Sequence, residues 1–176
     1  EDRYRYWRDA KLKDYPANLG DLVVEIDDPR TLRQSEFDAL LARCRKANMA
    51  LYAGKTGADA DPEIPLSIGR RFGVQGLNKN WLADDSGLTS LKVVEDGPRR
   101  NFIPYTNRAI HWHTDGYYNI ASEQVQSLLL HVVQRAARGG ENALMDHEVA
   151  YILLRERNPD YIRALMQPQA MTIPAR

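Results

Sequence analysis

Three features that are scarce in this sequence each exclude a class of protein. There is one cysteine, Cys44, so no disulfide can form within the chain, which favours a reducing, cytoplasmic compartment. No apolar run approaches the roughly 20 residues that cross a bilayer, so we expect no membrane segment. An excess of one charge is also lacking. The 24 basic residues are balanced by 24 acidic ones, which argues against a broad nucleic-acid-binding surface.

The remaining composition is that of an ordinary globular protein. Hydrophobic residues make up 43% of the 176 residues and charged residues 27%. This length suits one domain with a real core, so we predict a single domain over residues 1–176. The first residues, EDRYRYWRDAKLKDYP, are charged and aromatic, unlike a signal peptide.

The pattern along the chain predicts a mainly β protein with decorating helices. Strands are predicted at residues 21–26, 49–54, 88–96, 125–136 and 143–145, and helices at 35–48, 64–73, 147–157 and 160–167. Ser35 is the expected start of the first helix and Asn48 its left-handed end, with Cys44 on its core face. Regular βα alternation is lacking, which favours a β-sandwich or jelly roll.

The segment AIHWHTDGYYN, residues 109–119, contains the most distinctive chemistry. In a strand, alternate side chains share one face, so His111, His113 and Asp115 would point the same way. Imidazole and carboxylate are the ligands of non-haem Fe(II) sites, which use two histidines and one carboxylate. Gly116 would let the backbone turn away after Asp115. Taken alone, His-x-Asp is a common pattern and a weak signal.

The surrounding sequence strengthens the signal. The segments WHTDGYY and LLLHVVQRAARGGENALMDHEVAYILL together resemble the taurine/2-oxoglutarate dioxygenase family, a clavaminate synthase-like group that includes γ-butyrobetaine hydroxylase. The resemblance covers about residues 20–170 and assigns His113 and Asp115 as metal ligands. It also matches the family's Gly-Gly-acidic turn at residues 139–142, where Asn142 would donate a hydrogen bond to the 2-oxoglutarate carboxylate nearest the iron.

This resemblance implies a double-stranded β-helix (jelly roll) that uses Fe(II), 2-oxoglutarate and O₂. The implied reaction releases succinate and CO₂ and hydroxylates a small polar substrate. The family also has a distal histidine ligand and an arginine for the far carboxylate of 2-oxoglutarate, and the chain ends at Arg176 before either position. We therefore expect the N-terminal and central part of a longer protein, with an incomplete jelly roll.

Polar and aromatic residues beside the motif are candidates for substrate binding. Tyr105, Asn107 and Tyr117 are the main ones, and Arg108 and Tyr118 also flank the motif. Aromatic side chains would suit a cationic substrate and arginines an anionic one. Ordinary packing and turn formation explain each of these residues equally well, so the substrate stays open.

Two other functions compete with the dioxygenase. His111, His113 and His131 could bind zinc in a hydrolytic site, which would leave Asp115 and the Gly-Gly-Glu-Asn turn as coincidences. Alternatively, the chain is a non-catalytic β-sandwich binding module with no metal. The sequence does not determine the oligomeric state, and it is compatible with a homo-oligomer.

Overall fold

The computed structural model of the protein describes residues 1–74 and 87–172. The chain divides into two compact units. The first comprises Glu1–Lys55 and Asn142–Arg176, and the second comprises Thr56–Glu141. The five helices of the described residues are α1 (Asp2–Leu12), α2 (Gln34–Ala47), α3 (Glu63–Arg71), α4 (His147–Arg157) and α5 (Pro159–Leu165). The two strands are β1 (Val23–Ile26) and β2 (Leu51–Gly54).

The first unit is built on a β–α–β arrangement. β1 and β2 pair in parallel, with Val23 opposite Leu51 and Ile26 opposite Gly54, and α2 connects them. A parallel pair needs such a crossover connection. The buried apolar residues of this unit come from β1, from helices α2 and α4, and from the 3₁₀ turn and loop beside them, namely Leu22, Val24, Ile26, Leu32, Leu40, Ala47 and Ile152. Both strands lie within the predicted segments 21–26 and 49–54, which are therefore confirmed.

Helix α2 confirms the predicted helix but corrects its start. It begins at Gln34, because Glu36 rather than Ser35 provides the capping interaction. The Glu36 carboxylate accepts hydrogen bonds from the backbone N–H groups of Arg33 (2.8 Å) and Asp27 (3.1 Å). The helix ends as predicted, with Asn48 at φ 57° and its N–H bonded to the Cys44 carbonyl.

The two helices near the end of the first unit begin as their sequence predicts. The Asp146 side chain accepts a hydrogen bond from the Glu148 N–H and caps α4. Asn158 caps α5 in the same way through the Asp160 N–H, with Pro159 at the first helical position. Helix α1 lies in the charged, aromatic N-terminal segment, for which no helix was predicted.

The predicted fold class is wrong. Helical residues, 3₁₀ turns included, account for 43% of the described chain, and strand residues for 5%. The predicted strands at 88–96, 125–136 and 143–145, and the strand through His113, are irregular in the described residues. The predicted jelly roll is likewise not seen there.

The physical reason is that strand formation needs a partner. β-propensity measures how well a side chain fits a paired and half-buried surface. Leu128, Leu130 and Val132 expose 57%, 47% and 60% of their surface, and no strand of the described residues pairs with their segment. An apolar, β-branched run without a neighbouring strand therefore stays irregular.

The second unit has little regular structure. Helix α3 buries Ile64 and Ile68, and it confirms the helix predicted at 64–73. Three short 3₁₀ turns follow, at Pro98–Asn101, Ile103–Tyr105 and Ala121–Glu123. Tyr105 ends the second of them, and its carbonyl accepts a hydrogen bond from the Val94 N–H at 3.0 Å.

None of the helices in the described residues is long and apolar enough to span a bilayer.

Candidate metal centre

The local backbone fixes the His113 imidazole in one tautomer. Its Nδ1 lies 2.7 Å from the carbonyl oxygen of His111. A carbonyl oxygen can only accept, so Nδ1 carries the proton and donates it. In the neutral ring, Nε2 then carries the lone pair. This is the common arrangement of a metal-binding histidine, whose second nitrogen donates to a carbonyl or a carboxylate.

The free nitrogen of His113 faces the Asp115 carboxylate. Nε2 lies 3.7 Å from Oδ1 of Asp115, and the two side chains are 37% and 49% exposed. Ligand atoms about 2.1 Å from one metal ion lie about 3.0 Å apart as octahedral neighbours and at most about 4.2 Å apart, so a small side-chain rotation would let this pair share an ion. A lone pair opposite a carboxylate oxygen is repulsive unless a cation, either a proton or a metal ion, lies between them.

A tight turn directly after Asp115 holds this pair in place. Gly116 has φ +66°, and its carbonyl accepts a hydrogen bond from the Asn119 N–H at 2.9 Å. A Cβ atom at Gly116 would lie 2.5 Å from Cγ2 of Val125, so both the backbone angle and the space require glycine. The predicted turn at Gly116 is confirmed, although no strand precedes it.

Tyr105 is the most deeply buried of the predicted substrate residues. It is 1% exposed, and its hydroxyl has no hydrogen-bond partner among the described residues. The guanidinium of Arg99 lies 5.4 Å from the centre of the tyrosine ring. A buried hydroxyl without a partner costs about 1–3 kcal/mol, so this hydroxyl is a candidate for a hydrogen bond to a ligand.

The other predicted substrate residues lie on the surface of the second unit. Asn107 and Arg108 are exposed. Tyr117 and Tyr118 are 48% and 62% exposed, and their rings meet edge to face with centroids 5.3 Å apart. No contact between them and Tyr105 is observed among the described residues, so their role in substrate binding stays a prediction.

Asn142 follows two glycines in left-handed conformations. Gly139 and Gly140 have φ +72° and +80°, and the chain then enters the first unit at Asn142, which is exposed. Positive φ at both positions agrees with the predicted tight turn. The role of Asn142 as a cosubstrate contact stays a prediction.

The three histidines of the zinc alternative are not gathered into a site. Within residues 1–74 and 87–172, no group of three or more His, Cys, Asp or Glu side chains could hold a metal ion. His111 and His113 are exposed, and His131 is half-buried. The structure therefore brings together His113 and Asp115 but does not add His111 and His131 to them.

Sequence reasoning missed a buried polar cluster in the first unit. It joins Lys11 of α1, Tyr15, Asn48 at the end of α2, and Asp146 and Glu148 at the start of α4. The only signal in the sequence was the capping role of Asp146. A lysine in a charged helix gives no indication that it is buried.

Comparison with known proteins gives two matches. The model of the family described as "Taurine catabolism dioxygenase TauD, TfdA family" matches residues 12–176. A uridine-5'-phosphate dioxygenase from Amycolatopsis sp is 36% identical over 60 residues. Those residues are 34% of this chain and only 22% of that relative's length. No solved structure matches the chain significantly.

Proposed function

Because this chain belongs to the taurine catabolism dioxygenase TauD, TfdA family, we propose that it carries the iron-binding pair of an Fe(II)- and 2-oxoglutarate-dependent dioxygenase. In this proposal, His113 and Asp115 bind the iron through Nε2 and a carboxylate oxygen. The substrate is a small polar molecule that the enzyme hydroxylates. The match to the family and the resemblance to a dioxygenase both support an oxygenase-type enzyme.

One observation carries the proposal more than any other. The His111 carbonyl accepts the Nδ1 proton of His113, which leaves Nε2 with a lone pair 3.7 Å from the Asp115 carboxylate. Imidazole and carboxylate are the ligand types of non-haem Fe(II) oxygenases. The proposal thus has a local geometric basis even though the predicted β-strand around it is wrong.

The metal would supply the oxidative chemistry, in which O₂ is reduced as 2-oxoglutarate is converted to succinate and CO₂. The residues of the chain would bind and orient the reacting molecules. His113 and Asp115 hold the metal, and Asn142 donates a hydrogen bond from its side-chain amide to a carboxylate of 2-oxoglutarate. The Tyr105 hydroxyl, which has no hydrogen-bond partner within residues 1–74 and 87–172, hydrogen-bonds the substrate.

The substrate itself is a matter for screening. The relative from Amycolatopsis is named for uridine-5'-phosphate, so phosphorylated nucleosides belong in the first set of compounds. Small sulfonates, carboxylates and quaternary ammonium compounds belong in the same set, because both arginines and aromatic residues flank the metal pair.

The test is an anaerobic titration of the longest natural form of the protein with Fe(II) and then 2-oxoglutarate. We expect the weak visible charge-transfer band of a chelated 2-oxoglutarate, followed by succinate formation in air. His113→Ala and Asp115→Ala should abolish both signals. The matched control is His111→Ala, which removes an exposed imidazole but keeps the carbonyl that orients His113.

Three outcomes decide between the alternatives. Loss of the band in the His113 and Asp115 variants but not in the His111 variant supports the assigned ligands. Full succinate formation by Asp115→Ala contradicts them. Tight zinc binding without a 2-oxoglutarate band, weakened equally by His111→Ala and His113→Ala, would favour the three-histidine site instead.

A further inference from the structure

A lysine is buried at the centre of the polar cluster in the first unit. The side chain of Lys11 is only 5% exposed. Its ammonium group lies 2.8 Å from Oδ2 of Asp146 and 2.5 Å from Oε2 of Glu148, and it donates to the Lys46 carbonyl at 2.7 Å. All three protons of the ammonium group therefore have an acceptor, which a buried lysine requires.

The Asp146 carboxylate is held from several directions at once. Its side chain is 2% exposed. Besides Lys11, the Tyr15 hydroxyl donates to Oδ2 at 2.9 Å, and Nδ2 of Asn48 and the Glu148 N–H each donate to Oδ1 at 2.9 Å. Asp146 is therefore a fixed point of the backbone, tied to three other segments of the chain.

This fixed point lies close to Asn142 along the chain. Residues 132–145 are all exposed, and Asp146 is the first buried residue after them. Asp146 is four positions after Asn142, and four Cα–Cα steps extend at most about 14 Å. The placement of Asp146 therefore limits the region that the Asn142 amide can occupy.

We propose that Lys11 is a positioning residue for Asn142, and that it acts by anchoring the Asp146 carboxylate. This inference rests on the proposed function, in which Asn142 binds 2-oxoglutarate. Compared with an apolar pair, a buried ion pair adds little net stability, because both charges lose their hydration. Its specific effect is to select one geometry for the backbone that leads back to Asn142.

Two measurements on the longest natural form of the protein test this role. The first is the NMR order parameter of the Asn142 backbone amide, and the second is steady-state succinate formation with 2-oxoglutarate as the varied substrate. The variant is Lys11→Met, which keeps the length of the side chain and removes its charge. The control is Lys13→Met, which removes an exposed ammonium group just after α1.

We expect Lys11→Met to lower the Asn142 order parameter from the rigid range, about 0.85, towards about 0.6. The KM for 2-oxoglutarate should rise about tenfold, the lower end of the effects seen for groups that orient a ligand-binding residue. The kcat at saturating 2-oxoglutarate and the Fe(II) affinity should change less than twofold. Lys11→Arg should recover most of the KM, and Lys13→Met should match the wild type.

A mobile Asn142 in the wild type, or equal order parameters in the Lys11 and Lys13 variants, would overturn the anchoring. A fall in kcat with an unchanged KM would assign Lys11 a general structural role instead. If Lys11→Met does not fold, Tyr15→Phe removes one hydrogen bond to the same carboxylate and should shift both readouts less, in the same direction. If the wild type does not turn over 2-oxoglutarate, the proposed function is wrong. The order parameter of Asn142 still tests whether Lys11 and Asp146 hold this part of the backbone in place.

Discussion

Replacing Asp146 by alanine is the most informative stability experiment that this structure suggests. The substitution removes the cap of α4, which alone is worth about 1 kcal/mol. It also leaves the buried ammonium of Lys11 with one carboxylate instead of two, and it deprives Tyr15 and Asn48 of their shared acceptor. Breaking a buried pair by removing one partner costs about 3–5 kcal/mol.

We therefore expect Asp146→Ala to lower the free energy of unfolding by about 4 kcal/mol, because Glu148 compensates part of the lost ion pair while the cap loss adds to the cost. The assay is urea denaturation followed by circular dichroism, combined in a double-mutant cycle with Lys11→Met. In the Lys11→Met background the Asp146 carboxylate is buried without its cation, so removing it should cost only about 1 kcal/mol, the value of the lost helix cap.

Two outcomes of this double-mutant cycle would contradict a buried ion pair between Lys11 and Asp146. A cost below about 1 kcal/mol for Asp146→Ala would mean that the carboxylate is solvated rather than buried. Equal costs in the two backgrounds would mean that Lys11 and Asp146 do not interact, whatever their separation. Asp160→Ala is a suitable control, since it removes an exposed carboxylate from the first turn of α5 and should cost less than about 0.5 kcal/mol.

Three further predictions concern the pH dependence, the turn after the metal pair and the buried tyrosine. The hydrogen bond from the Arg33 side chain is the largest cause that lowers the pKa of Glu36, which falls to about 2. Burial of the carboxylate raises this pKa, and hydrogen bonds from the backbone N–H groups of Arg33 and Asp27 lower it further. A lowered pKa in the folded state means that the stabilisation is complete above the unfolded value of about 4.3 and is lost as the pH falls towards 2, so Glu36→Gln should flatten the acid-denaturation curve over that range. Gly116→Ala should weaken Fe(II) binding and cost about 2 kcal/mol, whereas Gly97→Ala, with φ +82° but no atom within 4 Å, should cost about 1 kcal/mol in calorimetry and leave the metal affinity unchanged. Tyr105→Phe should raise the ligand-free stability by about 1 kcal/mol while weakening substrate binding; an unchanged substrate affinity would exclude the proposed contact.

The candidate site was predictable from the sequence where its geometry is local. His113 and Asp115 are two residues apart, and the turn at Gly116 follows directly, so a short stretch of backbone suffices to bring the two side chains together. The same holds for the end of α2 at Asn48 and for the starts of α4 and α5, because helix caps depend on neighbouring residues. The family could also be identified, since its motifs are short and contiguous.

The sequence by itself therefore determined the end of α2, the starts of α4 and α5, the two strand segments β1 and β2, and the composition of the candidate metal pair. Only the tertiary structure decided that the apolar run around Leu128–Leu130 is irregular, because a strand exists only when a second strand pairs with it. It also decided that Lys11 is buried against Asp146, a contact between residues 135 positions apart (146 − 11). Burial of a long charged side chain depends on partners that are distant in sequence, and no local pattern in α1 encodes them.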